Sequence, residues 1–597
     1  MMIASGKLNF ADHIVVVGYF VVMLGIGAYF YRYMRRMKDY FTGNSAIPWW
    51  LSGASFYMSS FSVFGFVVNS ALAYKYGWVG ITMFWAYIPG TLLCALVFSK
   101  RWRRARIDSP VEYMEARYNP AMRQLCAWHG IPVKIVDDAL KLVAIGVFLS
   151  GSLGLDLKQS MLWSGVIMLA YTFMGGLWAV VVTDFVQFVV MGAAVLILFV
   201  LAGVRVGGLH EFVQHAAPGS FDLVSTEYGW TYIAAMVFLY AIAMSSVHWQ
   251  LIQRFTCVPN EREGRKLGWL VVVLQLVTPV IMFLPGMAAR QFIGPDLAEP
   301  RDVYPLLCTT LLPAGLLGLT VAAMFAATMS MLSADYNACA NVVTNDVYRR
   351  LLRPRASQRE LVLVGRLVTL VIGVLSLAIA FYVVNQPAGN DSLFRNMVKL
   401  FSVATAPVAV PMILGLMSKR LTGLSAVVGL LGGLAVGLYF FFTLADEVAL
   451  FDVMVKKENL LLFGTALTTT VLMLGVSGLF PQSAAERAHV EPFLERLAAP
   501  VGAHRLDREE SDPGSAAVSP FGVVGISIGL IGLLMVGVAP FVEGALATGL
   551  DLGMGLLMIV AGGLVAWRLG PRHRRGAGAA ARAEAADGTA AAAQSVE

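Results

Sequence analysis

Apolar runs recur along the chain from residue 11 to residue 567, separated by short polar segments. Each is close to the roughly 20 residues that a helix needs to cross the hydrocarbon core of a bilayer. The pattern predicts about fifteen spans, at 11–33, 47–70, 78–98, 130–152, 158–174, 178–204, 230–252, 268–290, 314–345, 361–383, 395–417, 421–443, 459–480, 520–541 and 547–567. The connecting segments sort by charge. "YRYMRRMK", "SKRWRRAR", "NEREGRK", "RRLLRPRASQR", "SKR", residues 481–519 and "RLGPRHRR" fall on one side of the alternation. "NQPAGNDS" and "GPDLAEP", on the other side, are poor in Lys and Arg. Basic loops stay in the cytoplasm, so the N-terminus is expected outside and the C-terminus inside.

Composition agrees with this pattern. Of 597 residues, 58% are hydrophobic and 14% charged, against about 25% charged in soluble domains. The fold class expected is an all-α polytopic membrane protein. Five cysteines stand singly, with no pairing that suggests metal or redox chemistry. The net charge of +7 lies largely in the loops and reports topology, not a nucleic-acid partner. The first run ends in a basic cluster without a small-residue cleavage site, so it is read as a retained span. Residues 481–519 are expected to form a surface loop, and 574–597 ("RRGAGAAARAEAADGTAAAAQSVE") a disordered tail.

Polar residues inside the spans carry the functional signal. "IPWWLSGASFYMSSFSVFGFVVNSALA" holds Ser55, Ser59, Ser60, Ser62 and Gly65 at mid-depth, and "TYIAAMVFLYAIAMSSVHWQLIQR" holds Ser245, Ser246 and His248. Such residues serve helix packing, or mark a broken helix whose freed carbonyls bind cations. These two runs open consecutive sets of five spans, 47–204 and 230–417. An odd number of crossings inverts the second set, as in an inverted repeat. Asp184 and Asp335 are intramembrane carboxylates, which are costly and therefore informative. In "ATMSMLSADYN", Ser330, Ser333 and Asn337 share a helix face, with Met331 and Asp335 on its neighbour. Carboxylate, hydroxyls and carbonyls form an oxygen-only set suited to a hard cation; pairing with a basic group is the other reading of Asp335. In "PVKIVDDALKL", Lys134–Asp138 and Asp137–Lys141 are i, i+4 pairs that neutralise locally. Lys141 sits too deep to snorkel and is a candidate for an anionic group or a gate. His248 is either a packing histidine or a solute contact.

In combination, these residues resemble the sodium/solute symporter family. "DYFTGNSAIPWWLSGAS", "YTFMGGLWAVVVTDFVQ", "HWQLIQR", "FLPGMAAR", "AAMFAATMSMLSADYNACANVVTNDVYRR" and "LGLMSKRLTGLSAVVG" are similar to its core segments, in order, over about residues 11–443. The resemblance implies a five-plus-five inverted-repeat core and alternating access. Residues 11–33 would be an extra N-terminal helix and 421–567 peripheral helices. It implies a main sodium site from carbonyls near Met58 and Phe61, the Ala327 carbonyl and the Ser330 hydroxyl. Met331 stands where the family usually has a second hydroxyl. A second sodium site would use Asp184, Ser330 and Ser333, with Ala334 in place of a further serine and Asp335 as a possible source of charge. Sugar carriers of the family often show Glu and Gln where Phe64 and Gly65 stand here, which weakens a sugar reading.

The reading is a sodium-coupled symporter of a small polar organic solute in the cell membrane, not an enzyme, with a lean toward a carboxylate-bearing solute. Na+ is the coupling ion and no covalent cofactor is expected. Its partners are the solute, sodium and the bilayer. Solute or gate candidates are Ser59, Ser60, Ser62, Lys141, Ser245, Ser246 and His248. Proton coupling on the same fold and a partner-dependent sensor are the alternatives.

Overall fold

A computed structural model describes residues 8–31, 40–60, 62–153, 155–295, 297, 300–385, 391–450, 453–501 and 520–568. Among them, twelve helices are long and apolar enough to cross a membrane. Three further runs are also helical. The run at 47–70 is divided into Trp49–Met58 and Val63–Tyr76. The 130–152 run lies in Pro120–Leu153, which carries four charged residues in "KIVDDALK". The 158–174 run forms the first part of Leu157–Arg205, before a joint at Gly176 (φ 57°, ψ −169°). Only glycine adopts that backbone readily, and a Cβ there would also sit 2.9 Å from the Tyr40 carbonyl.

Burial sorts the helices into centre and rim. In Leu316–Leu352, 94% of the most apolar window is buried, against 33% in Phe10–Tyr31 and 22% in Ala545–Trp567. The central helix Leu316–Val342 packs against Phe10–Tyr31, Pro120–Leu153 and Leu157–Arg205. Asp12 ties the first span to it. Its Oδ1 accepts from the backbone N–H groups of Gly315 and Gly318, each at 2.7 Å, which caps the start of the central helix.

Both interruptions expected from the sequence are present. Trp49–Met58 ends at Ser59, and the chain resumes from an extended Ser62 (φ −124°, ψ 179°). Ser60 Oγ donates back to the Phe56 carbonyl at 2.7 Å, while Thr328 Oγ1 accepts from Val63 N at 3.3 Å. The second interruption is a π turn, Ala243–Val247, followed by non-helical His248 (φ −77°, ψ 80°). Ser245 and Ser246 donate to the carbonyls four residues back, at 2.6 and 2.5 Å. Such back-bonding competes with the regular helical ladder.

Two segments depart from expectation. The all-α reading omits an antiparallel hairpin, Glu447–Leu450 with Val453–Lys456, in register Glu447↔Lys456. The 481–519 segment is not simply a loop, because Ala484–Ala498 is a helix. It is amphipathic, burying Val490 and Phe493, and it lies across the basic ends of other helices. Arg104 donates to the Ala498 carbonyl at 2.8 Å, and Arg106 to that of Arg496 at 3.1 Å. The predicted tail at 574–597 and residues 502–519 lie outside the described residues.

Candidate functional site

The two interrupted helices meet at a cavity of about 130 Å3. The first contributes Ser60, Ser62, Gly65 and Asn69, and the second Tyr240, Ala243 and His248. Asp137 and Lys141 enter from Pro120–Leu153, and Met331 from the central helix. Tyr87 stacks on Tyr240 with ring centroids 3.7 Å apart. Of the sequence-derived candidates, the structure brings Ser60, Ser62, Lys141 and His248 to this cavity. Ser245 and Ser246 are fully buried, with their hydroxyls on their own helix. Ser59 turns instead toward a second polar cluster.

That cluster is built on Asp184, which is fully buried. Ser55 Oγ donates to its Oδ2, and Ser59 Oγ lies 3.5 Å from the same oxygen. Ser59 and Ser330 hydroxyls are 3.4 Å apart, joining the first interruption to the central helix. Arg254 closes the cluster, with Nε donating to Ser55 Oγ at 2.7 Å and Nη2 3.4 Å from Asp184 Oδ2. Asp184 Oδ1 has no hydrogen-bond partner among the described residues. A buried carboxylate oxygen left in this way, beside two hydroxyls, is of the oxygen-donor kind that a hard cation takes.

The sequence reading of this cluster needs correction at several residues. Ser55 and Arg254 belong to it although the sequence alone does not single them out for it. Arg254 ends a span in "HWQLIQR", which reads as a basic residue at the membrane edge; only the tertiary fold buries it. Ser333 donates to the Ser330 carbonyl at 3.2 Å, which leaves its oxygen lone pairs available. Met331 lines the cavity, so the missing hydroxyl is lost from that wall. Met58 ends the first half-helix and Ala327 is buried in the central helix. Phe61, the remaining residue of the implied main sodium site, lies outside the described residues.

Asp335 has a different role. Lys134 Nζ is 2.8 Å from its Oδ1 and Lys141 Nζ 2.6 Å from its Oδ2. Both oxygens are committed to ammonium groups, so its reading as a sodium ligand is replaced by that of an ion-pair partner. Lys141 also lies 2.8 Å from Asp137 and 3.0 Å from Asp138. The expected Lys134–Asp138 pair gives way to a tertiary one, because Asp335 lies between the two lysines. Three carboxylates lie within 3.0 Å of Lys141 Nζ, two of them hydrogen-bonded to it, so its charge is already compensated inside the protein. A carboxylate-bearing solute would thus meet a lysine already paired within the protein.

His248 is placed by the same network. Lys134 donates to Gln250 Oε1 at 3.2 Å. An ammonium can only donate, so this fixes the amide with Nε2 toward His248 Nδ1, 3.4 Å away. Nδ1 therefore accepts, and the imidazole hydrogen sits on Nε2.

Comparison with known proteins supports a specific family. The model of the "Sodium:solute symporter family" matches residues 40–433. The sodium/sialic acid symporter of Proteus mirabilis is 26% identical over 438 residues, covering 71% of this chain and 88% of that protein. The sodium/glucose cotransporter of Vibrio parahaemolyticus is 25% identical over 471 residues, covering 73% and 86%. A solved substrate-bound, outward-open structure of a Na+-coupled sialic acid symporter superposes with a TM-score of 0.70 at 23% identity. It covers 79% of this chain and 99% of that one, and thus shares the fold.

Proposed function

The chain belongs to the sodium:solute symporter family, and on that premise we propose that it carries a small organic solute across the cell membrane together with sodium, by alternating access. As a family member it is a multi-pass membrane transporter and not an enzyme. The observation that carries the reading is the meeting of two interrupted helices at one cavity, beside a buried oxygen cluster on Asp184. Interrupted helices at mid-membrane are how this kind of transporter exposes backbone to solute and ion.

Fifteen spans, with the N-terminus outside and the C-terminus inside, are the proposed topology. Residues 47–204 and 230–417 form the two inverted halves. Residues 11–33 add a helix before them and 421–567 a peripheral group after them. Sodium is assigned to the contact between the first interruption and the Ala327–Ser330 stretch. There Ser59 meets Ser330 and the Asp184 carboxylate, and the carbonyls of Met58 and Ala327 are assigned to the ion by the family resemblance. Arg254 already balances part of the Asp184 charge. The bound ion is therefore held moderately, as a transporter that must release it requires.

The test is sodium-gradient uptake in proteoliposomes, screened over amines, carboxylates and sugars. An inward sodium gradient is expected to drive accumulation of one class. Accumulation driven by a proton gradient without sodium would contradict the ion assignment.

A further inference from the structure

We infer that the cavity accepts a solute bearing an ammonium group, with Asp137 as the residue that selects for it; the inference rests on the transporter reading above. The buried network contains three carboxylates, Asp137, Asp138 and Asp335, and two ammonium groups, Lys134 and Lys141. Each of the five is less than a tenth exposed. With all five ionised, one negative charge is left over. An uncompensated buried charge is costly, and its place is visible. Asp137 Oδ2 and Asp138 Oδ2 both lack a hydrogen-bond partner among the described residues, and of the two Asp137 lines the cavity. A cation entering the cavity supplies the missing charge. An anion meets the surplus carboxylate and finds Lys141 already occupied.

The walls suit the same chemistry. Tyr87, stacked on Tyr240, and Phe84, 5.4 Å from Tyr87 by ring centroids, present aromatic surface to the cavity. Aromatic faces attract alkylammonium groups, and Met83 and Met331 add polarisable apolar contact. The competing arrangement is a proton shared by the carboxylates, which would neutralise the network without any solute.

The full-length protein in detergent, at fixed sodium, is titrated in a thermal-shift assay. The probes are choline, ethanolamine, acetate and the carbon isostere of choline, in which a quaternary carbon replaces nitrogen. At least one amine is expected to raise the melting temperature, while the isostere and acetate do not. Asp137→Asn removes the surplus charge. It is expected to melt at or above the solute-free wild type and to lose at least tenfold in amine affinity; Asp137→Glu restores part of it. Three results would overturn the inference: no amine response, equal stabilisation by the isostere, or unchanged amine affinity in Asp137→Asn. A sodium titration without amine separates the two readings. Sodium stabilisation without an amine response defeats this inference alone, and an amine response indifferent to sodium defeats the symporter reading alone.

Discussion

Asp184 and Asp335 are both fully buried carboxylates in transmembrane helices that pack on each other, yet their surroundings give them opposite tasks. Asp335 is saturated by two ammonium groups, with each oxygen held at 2.8 Å or less. Asp184 faces hydroxyls and one guanidinium through Oδ2, while Oδ1 has no partner among the described residues. The first closes a buried ion-pair network, and the second keeps one oxygen without a partner among the described residues. Burial of a carboxylate is thus a weak guide to ion binding; the inventory of its two oxygens decides.

Substitutions can break this contrast. The largest effect is expected for Asp335→Asn, which takes from the buried Lys134 its carboxylate partner while Lys141 keeps Asp137 and Asp138. A loss of about 3–5 kcal/mol in stability is expected, read as a fall in melting temperature that sodium does not reverse. Adding Lys134→Met to that variant should recover part of the loss, because a charge pair then leaves together. Asp184→Asn comes next. It should weaken sodium binding at least tenfold, or about 1.4 kcal/mol, and lower the sodium-free melt as well, because buried Arg254 loses its carboxylate. Ser59→Ala and Ser330→Ala should each cost about 0.5–1.5 kcal/mol of sodium affinity, measured by sodium titration. Met331→Thr returns a hydroxyl to the central helix but on the cavity wall. It is expected to alter solute affinity and to shift sodium affinity by less than about 0.5 kcal/mol.

The smallest effect concerns the loop-side surface. Partial burial works against ionisation of Glu115, but Arg123 at 2.8 Å and Arg350 at 2.6 Å outweigh it and hold the carboxyl below its usual value. A depressed folded-state pKa contributes stability above the unfolded pKa, and loses it as pH falls through the folded one. A slight drop in melting temperature confined to acid pH, absent in Glu115→Gln, is the expected signature.

Much of the fold was legible because apolar runs and their interruptions are local properties. Ser59–Ser62 and Ser245–His248 mark both breaks from sequence alone. The helix at Ala484–Ala498 also carries a local signal. Ser483 precedes Glu486 by three residues, and its hydroxyl accepts from the Glu486 N–H at 3.1 Å, an N-cap. The hairpin at 447–456 was less readable, being two four-residue strands in an interhelical connection. Site partners were the least readable. Lys134 has a plausible local partner in Asp138, and only the approach of the central helix substitutes Asp335. Arg254 looks like an edge residue until the fold buries it against Ser55 and Asp184.

The most direct test of the central claim is equilibrium binding of radiolabelled sodium to three purified proteins: wild type, Asp184→Asn, and Asp335→Asn combined with Lys134→Met. Saturable binding in wild type, near-complete loss in the Asp184 variant and retention in the double variant are predicted. Undiminished binding in Asp184→Asn, or loss confined to the Asp335 double variant, would contradict the account.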